Sequence, residues 1–178
     1  MNEKPSQPKL PDQFVILDTN ILQYTGRMPT ATSFIAYITE LMRRGFGMAI
    51  SDVSVHEILR NTTKKQENEI FKFLKNFNRY FISEQVLIGS AQLYTLFRND
   101  KMLKSNIDMG DIIIATTSIL TNSLILTRNR RDFPWPFFSE AEVRTIYFVK
   151  SPGHTGAYTI ALLRPELNTI LSRFNTKK

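Results

Sequence analysis

Four acidic side chains, far apart along the chain, are the residues best suited to act together. Asp18 directly follows the apolar run FVIL (Phe14 to Leu17), Glu57 lies in SVHEILR, Asp111 in MGDIIIATTSI and Asp132 in LILTRNRRDF. Carboxylate oxygens are the ligands that Mg²⁺ and Mn²⁺ prefer, and these ions need only a few of them because they keep several waters. A cation so held lowers the pKa of a bound water and neutralises charge on a phosphoryl transition state. Acids drawn together without one repel each other, so a cation is the natural counterpart of such a cluster. What the spacing demands is a fold that brings the four together.

The surrounding elements offer one. In an open parallel sheet, functional groups collect beyond the carboxyl ends of the strands. FVIL reads as a buried strand of such a sheet, ending at Asp18. A helix is expected over about Thr30 to Arg44, where Phe34, Tyr37, Ile38 and Leu41 share one face, and Gly45 ends it. Met48 to Ser51 is a second strand, entering a helix near Ser54 that turns Val55, Ile58 and Leu59 inward. Lys64 to Asn78 reads as a helix with a stripe of Ile70, Phe73, Leu74 and Phe77, and Tyr80 to Ser83 as a short strand. Glu84 to Arg98 is expected to be helical and Asn99 to Asn106 a polar connection. A helix over Gly110 to Asn122, with Ile112, Ala115, Thr116 and Ile119 on one face, feeds a strand at Ser123 to Thr127. Arg144 to Val149 reads as the last strand and Ser151 to Gly156 as a loop. Leu167, Ile170, Leu171 and Phe174 mark an amphipathic helix with Pro165 in its first turn. The alternation is that of an α/β sandwich. It divides into a leader over 1–12, a domain over 13–150 and a C-terminal extension over 151–178, whose helix packs on the domain or on a partner.

Composition narrows the chemistry. With 178 residues, 42% of them hydrophobic, the chain can bury a core. It has no cysteine, which excludes a disulfide scaffold, a zinc-thiolate site and a cysteine nucleophile. No apolar run is long enough to span a bilayer, and the polar, proline-rich start lacks a signal-peptide core, so a cytoplasmic protein with no membrane association is expected. The net charge of +7 favours a polyanionic partner. There is no nucleophile-elbow serine and no glycine-rich phosphate loop. His56 is adjacent to Glu57, and adjacent helix residues do not face each other, which argues against histidine acid–base chemistry.

Each acid has a plainer reading on its own. Asp18 before Thr19-Asn20 can cap a turn or helix, Glu57 can be a solvated helix residue, Asp108 and Asp111 can cap a helix start, and Asp132 can be a turn residue. Taken together and in order, FVILDTN, SVHEILR, MGDIIIATTSI and LILTRNRRDF resemble the motifs of PIN-domain nucleases, over about Phe14 to Val149. The likeness is nearest to the VapC-like toxins of type II toxin–antitoxin pairs. The resemblance implies a three-layer α/β/α sandwich around a mostly parallel sheet of about five strands, Mg²⁺ or Mn²⁺, and endonucleolytic cutting of RNA. Carried over by motif, Asp18, Glu57, Asp111 and Asp132 become the catalytic, metal-holding acids. Asn129 takes a position that is Asp in some relatives, and its amide brings no charge to a second metal site. Asp108 is read first as a helix cap. A cognate antitoxin and a homodimer are the implied protein partners.

Arg128, Arg130 and Arg131 flank Asn129, and with Thr127 they are candidates for holding the RNA beside the metal. Solvated loop charge is the alternative for the arginines. Trp135, in FPWPFF, could stack a base or serve packing or a partner contact. Three rival functions remain. A dehalogenase-like phosphatase would use Asp18 as nucleophile, but needs an acid where Asn20 stands. A PIN-like module could bind RNA or protein without cutting, and a PIN nuclease could process RNA without being a toxin.

Overall fold

The computed structural model describes residue 11 and residues 13–60, 62–99 and 108–175. Three short runs that are apolar on both faces form the centre of a sheet, where both faces are covered. These are β1 (Gln13–Leu17), β2 (Phe46–Ser51) and β4 (Leu124–Thr127). β3 (Asn78–Tyr80) extends one edge, and the long β5 (Phe138–Ser151) and β6 (His154–Pro165) extend the other. The six strands run in the order β3-β2-β1-β4-β6-β5. β3, β2, β1 and β4 are parallel, whereas β6 is antiparallel to both β4 and β5.

Side chains alternate across the sheet, and the two faces fill separate cores. Val15 and Leu17 of β1 pack on one face with residues of α1 (Thr19–Thr25), α2 (Ala31–Arg43), α3 (Asp52–Arg60) and α4 (Lys64–Leu74). Ile16 faces the other way, against α5 (Glu84–Asn99), α6 (Met109–Thr121) and α7 (Leu167–Asn175). The architecture is therefore the expected three-layer α/β/α sandwich around a mostly parallel sheet, with six strands instead of about five. Among the described residues, no helix is long and apolar enough to cross a membrane.

Several local expectations shift. α1 was not foreseen, because seven residues are too few to show a helical period. α4 ends at Leu74 rather than Asn78, and Phe77 reaches back from the following turn to pack edge-on against Phe73, with ring centroids 5.2 Å apart. The short strand lies at Asn78–Tyr80, ahead of the expected Tyr80 to Ser83. Of the polar connection expected at Asn99 to Asn106, residues 100–106 lie outside the described residues, as do 1–10 and 12 of the leader.

The largest correction concerns the last strand. Arg144 to Val149 is the middle of β5, and the chain then returns as β6. The loop expected at Ser151 to Gly156 contracts to a turn at Pro152-Gly153, since Ser151 pairs with His154 and Gly153 takes a φ of 78° open to glycine. The boundary expected at residue 150 falls inside this hairpin, whose second strand lies within the sheet between β4 and β5. Pro165 closes β6 instead of opening the helix. In α7, Ile170 is buried and Phe174 packs beside the same core, while Leu171 of the expected stripe is exposed.

Candidate active site

β1 ends at Leu17 and α1 begins at Thr19, so Asp18 stands at the carboxyl end of the central strand. Its backbone N–H donates to the Leu126 carbonyl at 3.0 Å, tying it to the end of β4. Asp18 occupies the N-cap position of α1, yet its carboxylate makes no capping bond. Its backbone carbonyl accepts the Ile21 and Leu22 N–H groups, so the backbone opens the helix while the carboxylate is left for other partners. The carboxylate is 4% exposed, and its Oδ2 accepts the Thr127 hydroxyl at 2.5 Å and the Asn20 side-chain amide. Thr127, the last residue of β4, also accepts the Asn129 N–H at 2.9 Å. Asn20 accepts the Arg128 N–H at 3.1 Å through its Oδ1, so it bridges the ends of β1 and β4.

The other acids arrive on helices. Glu57 is on α3 and accepts the Thr19 hydroxyl. Asp111 is in the first turn of α6, while Asp108 is the cap expected of it, accepting the Gly110 N–H at 3.2 Å. Gly110 lets α6 approach α3 closely: a Cβ there would lie 2.9 Å from Glu57 Oε1 and 3.0 Å from a Val53 methyl. Asp132 sits in a 3-10 turn (Arg130–Asp132) after β4, hydrogen-bonded to Asp111 and to the Asn129 amide. Asp18, Glu57, Asp111, Asp132 and Asn129 all line one open cavity of about 280 Å³.

The same cavity is lined by Asn20, weighed in the sequence only as a missing acid, and by Thr19, Gln23 and Arg60, to which sequence reasoning gave no role. A signal for Arg60 was present, since it follows Glu57 by one helical turn. The arginines expected around the acids do not line this cavity. Arg128 lies over the rings of Tyr158 and Tyr24, at 4.2 and 5.4 Å from their centroids. Arg130 pairs with Glu140 at 2.6 Å, and Arg130 and Arg131 line a separate groove.

Electrostatics mark the cavity as strained in charge. Burial pushes the Asp18 carboxyl up to about 6, against the lowering effect of the Thr127 hydrogen bond. Asp111 is pushed up to about 8, first by burial, then by the charges of Asp18 and Asp132. Among the described residues no three His, Asp or Glu side chains are spaced as a ready-made metal cage. An open set of carboxylates, two of them reluctant to ionise together, fits a divalent cation that takes a few oxygens directly and the rest from water.

This arrangement predicts a pH effect on the cation-free fold. Both carboxyls have folded-state values above the ordinary 3.8. Their contribution to stability is therefore complete below about 4 and is lost as pH rises through about 6 for Asp18 and about 8 for Asp111. With a chelator present, Asp111→Asn should melt progressively higher than the parent as pH is raised from 5 to 8.5 in thermal unfolding scans. Parallel curves for the two proteins across that range would refute the assignment.

No family model matches the chain. Over 88 residues it is 28% identical to ribonuclease VapC1 of Methanocaldococcus jannaschii, a stretch covering 49% of this chain and 62% of that protein. The chain thus matches about three-fifths of the length of that curated relative. In structure it is similar to VapBC2 from Rickettsia felis bound to a DNA fragment from their promoter (TM-score 0.57, 22% identity, 70% of this chain and 94% of that one). It is also similar to FitAcB from Neisseria gonorrhoeae (0.54, 20%, 67% and 90%) and to a toxin–antitoxin complex from Klebsiella pneumoniae (0.51, 28%, 68% and 92%). The chain therefore has the PIN-type fold, and the expected resemblance to VapC-like proteins extends to both sequence and structure.

Proposed function

From this fold and resemblance, we propose that the chain is a divalent-metal-dependent endoribonuclease and the toxin of a toxin–antitoxin pair, acting in the cytoplasm. The observation that carries the reading is the convergence of Asp18, Glu57, Asp111 and Asp132 on one cavity at the carboxyl ends of β1 and β4. The relatives support it: one is a ribonuclease, and another is a toxin–antitoxin complex. A cognate antitoxin and a second copy of the chain are the proposed protein partners.

Asp18 and Asp111 would hold Mg²⁺ or Mn²⁺, which when bound supplies an activated water and neutralises charge on the phosphoryl oxygens. Thr127 and Asn20 both donate to Oδ2 of Asp18 and so fix the plane of its carboxylate, the kind of support that keeps a ligand in position. Glu57, anchored by Thr19, would help to position the attacking water and could accept its proton. Asp132 completes the acidic wall, with the Asn129 amide restraining it. No side-chain nucleophile is required. The phosphatase alternative fares poorly, since Asn20 is engaged as a structural bridge and its amide is too weak an acid to protonate a leaving group.

Purified protein incubated with total cellular RNA should give discrete internal cuts with Mg²⁺ or Mn²⁺ and none with a chelator. RNA left intact with both ions would overturn the reading. Growth arrest on expression, relieved by a co-expressed antitoxin, is the result expected of a toxin.

A further inference from the structure

The segment Phe133 to Phe138 (FPWPFF) does two opposite things. Phe133, Phe137 and Phe138 are buried in the core under α5 and α6, with Phe137 against Phe97 at a ring-centroid distance of 5.1 Å. Trp135, between two prolines, is 77% exposed. The turn that presents it is held on both sides, since the N–H groups of Phe137 and Phe138 donate to the Pro134 carbonyl at 3.0 and 3.2 Å. A large flat apolar ring is thus fixed in solvent on an anchored turn, where it contributes little to packing.

Its surroundings indicate what it faces. Trp135 lines a groove of about 740 Å³ together with Arg130, Arg131 and Asn129. Asn129 also lines the acidic cavity, so the groove and the cavity adjoin at this residue. Asp132 and Trp135 are three residues apart, at most about 11 Å along the chain. The groove carries three arginines against one glutamate, Glu140. Of these, Arg130 is paired with Glu140 and Arg128 is stacked on tyrosines, whereas among the described residues Arg131 makes no ion pair. An exposed indole beside an available guanidinium matches an unstacked base next to a phosphate.

Resting on the ribonuclease reading, we propose that Trp135 and Arg131 form a subsite for single-stranded RNA beside the acidic cavity, the indole stacking a base that neighbours the scissile phosphate. Double-stranded RNA does not fit this role, because its bases are already stacked on one another.

Trp135 is the only tryptophan of the chain, so indole emission, excited at the red edge where the tyrosines do not absorb, reports on the subsite alone. The test titrates Asp18→Asn protein, which leaves the RNA uncut, with a short mixed-sequence single-stranded RNA. Saturable quenching of the indole is expected, and no quenching with the same sequence as a duplex. Adding Trp135→Ala should weaken binding about 5- to 150-fold, with Trp135→Phe retaining most of the affinity. Arg131→Ala should lower the slope of log affinity against log salt by about 0.7. In otherwise unmodified protein, Trp135→Ala should raise KM for RNA far more than it lowers kcat. Unchanged emission together with unchanged affinity in Trp135→Ala overturns the subsite and leaves the ribonuclease reading standing. Absence of any metal-dependent cleavage by the unmodified protein overturns that reading itself.

Discussion

Asp18→Asn should cut RNA cleavage by at least about a hundredfold, while making the cation-free protein more stable at pH 8. The two effects share one cause. Asp18 is almost fully buried, and burial holds its carboxyl up at about 6, so at pH 8 the fold carries an ionised group at a cost. Relative to the ordinary 3.8, that cost is on the order of 3 kcal/mol. Asparagine keeps the shape and an oxygen for the Thr127 hydroxyl, but brings no charge either to the cost or to a cation. Activity should therefore fall as the melting temperature rises, a combination that misfolding cannot produce. Cleavage assays and thermal scans on the same preparation measure both. Activity within a few-fold of the parent would remove Asp18 from the site, and lowered stability at pH 8 would remove the electrostatic account of its burial.

Ending the chain after Lys150 should abolish cooperative folding. β6 is an interior strand, hydrogen-bonded to β4 through Leu162 and its neighbours and to β5 along most of its length. Its buried residues supply both cores: Ile160 and Leu162 on one face, Ala161 and Leu163 on the other. Without it, β4 is left with an unpaired edge, and β5 has no partner to hold it in the sheet. Thr127, which holds the Asp18 carboxylate, pairs with Ala161, so the site would lose its support as well. Removing residues 167–178 is a milder change, because among the described residues of α7 only Ile170 is fully buried. Circular dichroism and thermal unfolding of the two truncations should separate them sharply. A cooperative transition near that of the full chain in the 1–150 protein would contradict the topology.

The sequence by itself determined the central sheet and the placement of the acids. FVIL, MAIS and SLILT are apolar on both faces, which is what a covered parallel strand requires, and α2 and α6 carry stripes at helical spacing. Because strand and helix signals are local, the positions of Asp18, Glu57, Asp111 and Asp132 relative to those elements could be read directly, as could the capping role of Asp108.

Only the tertiary structure decided what depends on partners distant in the chain. β6 looked like a tail because its neighbours β4 and β5 precede it and no local pattern names the strand that will lie beside another. Asn20 counted only as a missing acid, whereas its hydrogen bonds to Asp18, Thr127 and the Arg128 N–H make it the bridge between two strand ends. The arginines of TRNRRDF stood next to the acids in sequence, yet Arg128 stacks on Tyr158 and Arg130 pairs with Glu140, because side-chain direction follows packing and not order. The shared charge of the cavity is likewise a product of burial: Asp18 and Asp111 become reluctant to ionise only once the sheet and α6 have closed around them.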